Sequence, residues 1–520
     1  MEMKSLAKRT HHIDFSDLRY VLFATIIGIL TGAVIASFRY LIQVALKWSL
    51  IIYNGLDHNL NLLWFVIPFF LLISIVTGLI MKGDPDVKGS GIPQVEAQLA
   101  GNIETNWVSI LWRKFVTGVL TVGTGIFLGR EGPSVQLGGA IGQGVAQGFK
   151  EVGSERRLMI ATGAAAGLSA TFSAPLAGTF FVMEGVYRNF SPAVWLSSLT
   201  GSICANFVSL KVFGLKPILP IFYSHTFQLQ NYWQLIILGI ILGVLGYVYN
   251  LGLLDLPKWF AKIKIIPWYF MCAIPILMVI PIGMFFPTTI GSGSRVIMTV
   301  ATHNVPLTAI FVFLIVRFVF GLITYGAGIP GGFFMPVLAV GSLIGAAYGG
   351  FMSQSGLLGA GYVNNLLIFG MAGYFAAVSK APFTSIMLIT ELVGNTKNFM
   401  ALALVVLVSY VVVDMMGGQP IYQALAERLT AIKTYFNADS KTDRIQVPVY
   451  EFSSIENKLV KNVKWPENSI LITISRGNLH IIPNGNTKIK AGDTLIVLAH
   501  RDAVGPVKKQ LVKMAMEIDE

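Results

Sequence analysis

The sequence predicts an all-α polytopic membrane protein whose two halves are related and contain broken and tilted helices, followed by a small α/β domain. Three observations lead to this fold class. Of the 520 residues, 54% are hydrophobic and only 12% are charged, against about 25% charged in an ordinary soluble domain. Two stretches of the chain can be aligned with each other, and the composition becomes that of a soluble domain after Tyr435.

The aligned stretches indicate an internal duplication. An offset of 207 residues pairs segment 163–184 with segment 370–391, and both end in glutamate. Upstream, an offset of 203 residues pairs segment 129–133 with segment 332–336. In an apolar chain, Gly/Pro-interrupted segments at corresponding positions of two halves are the best sequence indication of a transport site between them.

The apolar segments are of two kinds. Segments 62–81 and 232–254 carry no charge, and each reaches the roughly 20 residues needed to cross a bilayer core. Most other apolar runs are short or rich in glycine and proline, such as 114–128, 133–149, 333–350 and 366–378. These runs predict half-helices and tilted pieces. Because non-helical backbone at membrane depth must be satisfied by protein or by a water-filled cavity, they imply an enclosed pathway.

The changes in composition predict the domain boundaries. We expect an N-terminal segment over residues 1–17, a membrane domain over 18–432, and a separate domain over 438–520. The membrane domain divides into halves at about 18–215 and 230–432.

The sequence of the C-terminal domain predicts a small α/β module. Strand-like runs occur at 446–452, 469–474 and 494–499, and a helix is predicted near 503–514. About 80 residues are enough for such a module to fold. It is too small to carry the main chemistry of the chain, so we expect a regulatory role.

The formal net charge of +12 does not indicate nucleic-acid binding. Lys and Arg are dispersed between apolar spans without a dense basic face, which fits the positive-inside rule better. Lys4, Lys8 and Arg9 precede the first span and favour a cytoplasmic N-terminus. The first apolar segment lacks the pattern of a cleavable signal peptide.

The sequence shows no pattern typical of an enzyme, a metal site or a cofactor site. Cys204 and Cys272 lie inside apolar runs, which favours buried small residues over a disulfide. The seven histidines are scattered without metal-ligand spacing. Ser134 and Ser173 have no base nearby in the sequence, so a hydrolase site has no support.

Glu131 is the ionisable residue that stands out, because it lies between apolar segments. A carboxylate within the membrane is costly, so it indicates a functional site that exchanges a proton or an ion. The alternative is a buried salt bridge to Arg130 or Lys114. The glycines that flank Glu131 favour the functional interpretation.

The motif Gly89-Ser-Gly-Ile-Pro93 has the pattern of a helix start, with Pro93 in the first turn. A helix N-terminus offers free N–H groups to an anion. Ser90 could add a hydroxyl donor without a full positive charge, which lets a permeating ion bind and leave. Alternatively, Ser90 is only an N-cap.

The segment 326–336 contains Gly-x-Gly-x-x-Gly but fails as a nucleotide fingerprint. Pro330 lies inside the loop, and no acidic residue follows at the ribose-binding distance. We interpret the segment as a second half-helix start, in which Gly331 and Gly332 free the N–H groups of Phe333 and Phe334 to face an ion. The glycines that follow at every fourth position predict close helix packing.

Tyr422 lies at the end of the membrane portion. Its amphipathic ring predicts an interfacial anchor, and its hydroxyl is also a candidate ligand.

Taken together, the motifs resemble, in order and spacing, those of the CLC family of chloride channels and proton/chloride exchangers. They are Gly89-Ser-Gly-Ile-Pro93, Gly129-Arg-Glu-Gly-Pro133, Gly331-Gly-Phe-Phe-Met-Pro336 and Tyr422. The resemblance covers nearly the whole membrane portion. It implies two inverted-topology halves, a homodimer, and an anion pore in each subunit.

The resemblance also implies residue roles. The central anion ligands would be Ser90, the amides of Phe333 and Phe334, and Tyr422, while Glu131 would be the external gate that carries the proton. Serine at this position is typical of chloride-selective members. The supporting positions that match are Gly89, Gly91, Pro93, Lys114, Arg130, Gly331 and Gly332. Lys114 matches a buried lysine of the bacterial exchangers.

One position departs from the bacterial exchangers that the sequence resembles. These have a Glu-Glu pair on the cytoplasmic side, whereas this chain has Glu184 followed by Gly185. Glu184 is about 100 degrees of helix away from the missing glutamate. Chloride transport is therefore expected either as proton/chloride exchange or as passive flow through a channel with the same pore.

The C-terminal domain is similar to the TrkA-C module of bacterial potassium-uptake regulators, most clearly at 491–498. This similarity implies binding of a small cytoplasmic ligand or of a second copy. We expect a multi-pass protein of a bacterial plasma membrane with cytoplasmic termini. Its partners would be chloride, protons, the lipid bilayer and a second subunit. A membrane enzyme or receptor, in which the spans only anchor the tail, is disfavoured because no catalytic constellation is visible.

Overall fold

The structure is a computed structural model. It describes residues 15–223, 225–436, 442–467, 469–476, 479–500 and 504–516. Most of the predicted N-terminal segment 1–17, including its three basic residues, lies outside the described residues. The chain divides into two compact units, residues 1–430 and 431–520.

The first half of the membrane unit consists of helices joined by loops and turns. Its helices are α1 Phe15–His58, α2 Leu63–Gly83, α3 Ile92–Leu99, α4 Trp107–Gly123, α5 Glu131–Gly148, α6 Gly153–Phe172, α7 Pro175–Phe180, which continues as a π-helix over Phe181–Val186, and α8 Pro192–Phe213. Short 3-10 turns lie at Leu60–Leu62 and Pro85–Val87.

The second half contains a corresponding series of eight helices and one further helix at its end. Its helices are α9 Tyr232–Lys262, α10 Ala273–Phe285, α11 Ser294–Thr302, α12 Leu307–Gly326, α13 Phe334–Gln354, α14 Val363–Ser379, α15 Pro382–Val393, α16 Phe399–Met415 and α17 Ile421–Phe436. Short 3-10 turns lie at Leu229–Asn231, Trp268–Phe270 and Ala360–Tyr362.

Within the described residues, eight helices are long and apolar enough to cross a membrane. The two uncharged spans predicted from sequence are present as α2 and α9, although α9 runs on through Pro257 to Lys262. The segment predicted as a half-helix over 333–350 is a continuous 21-residue helix, α13. The prediction for 114–128 was wrong at its end, because α4 stops at Gly123 and Gly125 takes a positive φ of 88°.

The two halves are related by a local two-fold axis. Gly129 and Gly332, which are equivalent at the offset of 203, hydrogen-bond to each other in both directions over 2.6 and 2.7 Å. When a residue of one repeat pairs with the equivalent residue of the other repeat, the two-fold axis that relates the repeats passes between them. The membrane unit is therefore built of two inverted-topology repeats with broken helices, as expected from the family resemblance.

A reciprocal pair of contacts repeats this symmetry. The Glu184 carboxylate accepts from the N–H groups of Phe383 and Thr384, at 3.1 and 2.7 Å. The equivalent Glu391 carboxylate accepts from the N–H groups at the start of α7, residues 176 and 177, at 3.1 and 2.8 Å. Each half thus caps a helix N-terminus of the other half.

Glycines allow the helices of each half to approach closely. A Cβ atom on Gly138 of α5 would collide with the carbonyl of Gly163 on α6. The equivalent pair, Gly341 on α13 and Gly370 on α14, shows the same close approach. The predicted small-residue packing is confirmed, and it produces the dense core that surrounds the broken helices.

The second unit is a small α/β domain. A four-stranded antiparallel sheet has the order β1-β4-β2-β3, with strands β1 Thr442–Pro448, β2 Ser469–Arg476, β3 Leu479–Ile481 and β4 Asp493–His500. A 3-10 turn at Val460–Asn462 and helix α18 Val504–Met516 complete it. Strand β1 starts and ends earlier than the predicted 446–452, and β3 was not predicted.

This unit has its own apolar core, which includes Val447, Leu495, Val497 and Leu511. Beside the core, Asp493 is fully buried and accepts two bonds from Arg476, at 2.7 and 2.8 Å. The hydrogen bond to Asp493 holds the pKa of the Arg476 guanidinium above its ordinary value. The pair fixes β2 against β4, because a buried carboxylate needs its partners.

Candidate functional site

Three loops of the membrane unit are hydrogen-bonded together at the starts of α3, α5 and α13. The N–H of Gly89 donates to the carbonyl of Gly328, and the N–H of Gly331 donates to the carbonyl of Gly89, each over 3.2 Å. The Gly129–Gly332 pair joins the loop before α5 to the loop before α13. The predicted half-helix starts from both halves of the chain therefore lie side by side. The positive ends of the α3, α5 and α13 dipoles are close together around the Ser90 loop.

Ser90 is not the N-cap of α3. Gly91 takes that position with φ +96°, a left-handed conformation that favours glycine, and Pro93 falls in the first turn as predicted. The Ser90 hydroxyl is buried and has no hydrogen-bond partner among the described residues. Its donor is available to a ligand, so the capping interpretation of Ser90 was wrong.

Gly132 lets the two halves meet at this hydroxyl. A Cβ atom on Gly132 would overlap the hydroxyl of Ser90 and would lie 2.7 Å from its carbonyl oxygen. The same atom would lie 3.1 Å from the Cα of Gly332. No side chain other than hydrogen fits between Ser90 and the second half.

Glu131 is the first residue of α5 and is only 2% exposed. Its carboxylate interacts with the backbone N–H groups of Glu131 and Met335, the latter in the first turn of α13. The second oxygen, Oε2, has no partner in the part of the chain that is described.

The alternative of a salt bridge from Glu131 to Lys114 is excluded by the lysine's own contacts. The buried Lys114 ammonium donates to the carbonyls of Val87 and Gly89, at 2.8 and 2.7 Å. Among the ion pairs of the described residues, none joins Glu131 to Arg130 or Lys114. Through these two carbonyls Lys114 holds the loop that contains Ser90.

Phe333, Phe334 and Tyr422 belong to one buried aromatic cluster. Phe333 is the N-cap of α13, and Phe334 is its first residue. The rings of Phe333 and Tyr422 stack with centroids 5.1 Å apart, and Phe181 meets both Tyr422 and Phe334 edge-on.

Tyr422 is 2% exposed, so the interfacial-anchor interpretation of its ring was wrong. Its hydroxyl is buried and finds no partner within the described residues. Buried polar groups are normally hydrogen-bonded. Two unpartnered hydroxyls, those of Ser90 and Tyr422, thus flank helix N-termini that attract negative charge.

The structure separates Glu184 from the aromatic cluster. Its carboxylate is held by the start of α15, where it also accepts from the Thr384 hydroxyl over 2.7 Å. Gly185 lies on the π-helix that includes Phe181, and a Cβ atom there would meet only the Phe181 ring, at 3.6 Å. The space at position 185 is open.

Sequence reasoning missed a second loop of the same kind. Gly293 caps α11 with φ +109°, as Gly91 caps α3. Arg317, which is 1% exposed and equivalent to Lys114, donates to the carbonyls of Thr289, Gly291 and Ser292 at 2.6–2.8 Å. The signal was available, because Gly-Ser-Gly recurs at 291–293, 202 residues after 89–91.

The family model described as voltage gated chloride channel matches residues 69–414, and the TrkA-C domain model matches residues 444–511. The chain belongs to the voltage gated chloride channel family, the CLC family. This assignment agrees with the two inverted repeats and with the helix starts that meet around Ser90.

Named CLC relatives show the same match. An H(+)/Cl(-) exchange transporter ClcA from Salmonella arizonae is 32% identical over 451 residues, covering 82% of this chain and 92% of the relative. The ClcA of Salmonella typhimurium is also 32% identical, over 449 residues, with 82% and 91% covered.

Solved CLC structures share the fold. The structure of a slow cyanobacterial Cl-/H+ antiporter superposes with a TM-score of 0.74 and 31% identity, covering 79% of this chain and 98% of that one. A CLC-type fluoride/proton antiporter gives a TM-score of 0.64 at 21% identity, covering 76% and 96%, and bears on the fold alone.

Proposed function

We propose that this chain exchanges chloride for protons across a membrane. Its CLC membership and its similarity to proteins named as H(+)/Cl(-) exchangers support the class of activity. The observation that carries the proposal to residues is the buried Glu131 carboxylate, with one free oxygen, at the first turn of α5 beside the Ser90 loop.

In this mechanism a chloride ion loses its water between opposed helix N-termini. The Ser90 hydroxyl, the N–H groups of Phe333 and Phe334, and the Tyr422 hydroxyl hold it. Since none of these groups carries a full positive charge, the ion is bound strongly enough to enter and weakly enough to leave.

Glu131 competes with chloride for the same positive environment. When its carboxylate is deprotonated, it occupies the anion position, and when it is protonated, the site opens to the outside. Because one side chain alternates between the proton and the anion position, the two movements are coupled.

The remaining motif positions act as support in this proposal. Gly89, Gly91 and Pro93 shape the start of α3, and Lys114 holds that loop by two carbonyls. Arg130 is the N-cap of α5, and Gly331 and Gly332 connect the loops of the two halves.

A passive chloride channel with the same pore is the second candidate. Position 185, where the resemblance to bacterial exchangers leads one to expect a glutamate, is glycine. Neighbouring Glu184 is engaged by the N-terminus of α15. If no other group delivers protons from the inner side, chloride would flow without them.

The test is proton movement in liposomes that contain the purified full-length protein. A chloride gradient is imposed while a potassium ionophore sets the voltage. Uphill proton movement driven by chloride, abolished by Glu131→Gln, is expected for an exchanger. Rapid chloride flux without proton movement would overturn exchange and establish the channel.

The proposal also includes the domain boundaries, the assembly and the cellular location of the protein. We propose domains at 1–17, 18–432 and 438–520, a homodimer in a bacterial plasma membrane, and cytoplasmic termini. The TrkA-C match supports a regulatory domain that binds a small cytoplasmic ligand. Deleting the tail, as described below, tests that role.

A further inference from the structure

Two carboxylates are buried among the described residues of the membrane unit, Glu131 and Glu96. The mechanism above uses only the first. Glu96 lies on α3, the short helix that starts at the Ser90 loop, and its residue surface is 8% exposed. A carboxylate within such a domain is costly to bury and indicates a function unless all its bonding capacity is satisfied.

The bonding capacity of Glu96 is only half satisfied. Its Oε1 pairs with Arg188 over 3.1 Å, while its Oε2 is buried and has no hydrogen-bond partner in the described parts of the chain. A buried carboxylate oxygen without a donor is costly, so the ion pair alone does not account for this position. An oxygen in this situation is suited to take up a proton or to bind a water molecule.

Glu96 is also joined, through Arg188, to a chain of polar residues that ends at an exposed carboxylate. Arg188 donates to Gln423, and Gln423 donates to the exposed Glu427 over 2.9 Å. Gln423 directly follows Tyr422 on α17, so this chain reaches the helix that carries a proposed anion ligand.

Position 185 adds the last observation. Gly185, which has no side chain, lies three residues before Arg188, whose guanidinium is paired with Glu96. The π-helix that carries Gly185 contacts the aromatic cluster through Phe181. A carboxylate reached from α3 can therefore serve the region that a glutamate at position 185 would serve.

We propose that Glu96 is the inner proton-transfer residue of this chain, taking the role for which Gly185 has no side chain; this inference rests on the proposed exchange function. One proton and no electrons move. The Glu96 carboxylate takes the proton from water on the side of Glu427 and becomes a neutral acid. It returns to the carboxylate when the proton passes, through water beside Tyr422, to Glu131.

The experiment measures proton and chloride fluxes together in liposomes holding the full-length protein. Glu96→Gln should lower the proton-to-chloride ratio by about 100-fold, the scale on which loss of a proton-transferring group acts. Chloride flux should persist, because the anion ligands are unchanged. Adding Gly185→Glu to this variant should restore part of the proton flux.

Two variants separate proton transfer from a structural role. Glu184→Gln changes a neighbouring glutamate whose carboxylate is held by backbone N–H groups, and its flux ratio should equal that of the parent. Arg188→Gln removes the ion pair but keeps the acid, so proton movement should fall less than in Glu96→Gln. Folding of each variant is checked by gel filtration and thermal unfolding.

Several outcomes would overturn the inference. They are an unchanged flux ratio in Glu96→Gln, loss of both fluxes in a folded Glu96→Gln protein, or an equal loss of proton movement in Arg188→Gln. If Glu96→Gln does not fold, Glu96→Met decides, because it removes the carboxyl and an unchanged flux ratio there would contradict proton transfer at this position. Chloride flux without protons in the parent protein would refute exchange itself, which is a different result.

Discussion

At the scale of single residues, Gly132 is a position where space beside Ser90 is tightly restricted. We expect Gly132→Ala to weaken chloride binding by about fivefold or more, because its Cβ atom would overlap Ser90 and lie 2.7 Å from the Ser90 carbonyl oxygen. Overpacking of this kind costs about 1–3 kcal/mol, and each 1.4 kcal/mol is about tenfold in affinity. Titration calorimetry with chloride measures the change.

Gly139→Ala on the same helix is the matched control. Its Cβ atom would make ordinary contacts with Val95 and Ile160, at 3.4 and 3.6 Å, so chloride affinity should be unchanged. Equal affinity in Gly132→Ala and in the parent protein would place the anion away from Ser90.

Lys114 and Arg317 give a second prediction at this scale. Each buried cation holds a Gly-Ser-Gly loop through its carbonyls. Replacing either by Met removes these donors, and each buried carbonyl left without another partner costs about 1–3 kcal/mol. We expect a lower thermal unfolding temperature in detergent for both variants, with Lys47→Met, at an exposed position, as the control. An unchanged unfolding temperature in both would show that water replaces the lost bonds.

At the scale of elements, the helix starts of α7 and α15 are held by glutamates of the opposite half. Glu391→Gln and Glu184→Gln should each destabilise the membrane unit by about 1 kcal/mol, since each weakens an anionic cap on a helix N-terminus. Both should leave the proton-to-chloride ratio intact. Thermal unfolding and the liposome assay measure the two quantities.

The contrast with Glu96 makes this prediction specific. If Glu184→Gln lowered the proton flux without lowering stability, Glu184 would be an inner proton site after all. The interpretation of its carboxylate as a cap would then fail.

The element scale also shows why part of the site escaped the sequence. The motifs placed Ser90, Glu131, Phe333 and Tyr422 in one hypothesis, but spacing alone left Ser90 open between cap and ligand. The choice depends on Gly91, whose positive φ makes it the cap. The direction of Glu184 could not be read from an α-helical rotation per residue, because it lies on a π-helix.

The duplication, in contrast, was visible because both halves keep glycine at several equivalent close contacts, such as Gly138 and Gly341. The offset is not constant, however, and drops to 202 at the Gly-Ser-Gly loops, so the second loop at 291–293 was not aligned. Long-range partners such as Glu96 and Arg188 carry no local pattern. They are brought together only by the packing of α3 against the π-helix segment.

At the scale of the whole molecule, the chain consists of two units with separate cores. The apolar core of the second unit is formed by its own strands and by α18, and the Arg476–Asp493 pair lies within it. Because the described residues of the second unit form an apolar core of their own, we expect each unit to fold without the other. The membrane unit should then carry transport, and the second unit should carry regulation.

Deleting residues 437–520 tests this division. We expect the truncated protein to keep chloride flux of the same order as the parent, because α17 and the aromatic cluster around Tyr422 are retained. The separate fragment 438–520 should show a cooperative urea transition by circular dichroism, as small single domains do. Flux is then compared with and without a deproteinised bacterial cytosol on the inner face. A response that is present in the parent and absent after truncation supports regulation by a small ligand. An identical response in both proteins would contradict it.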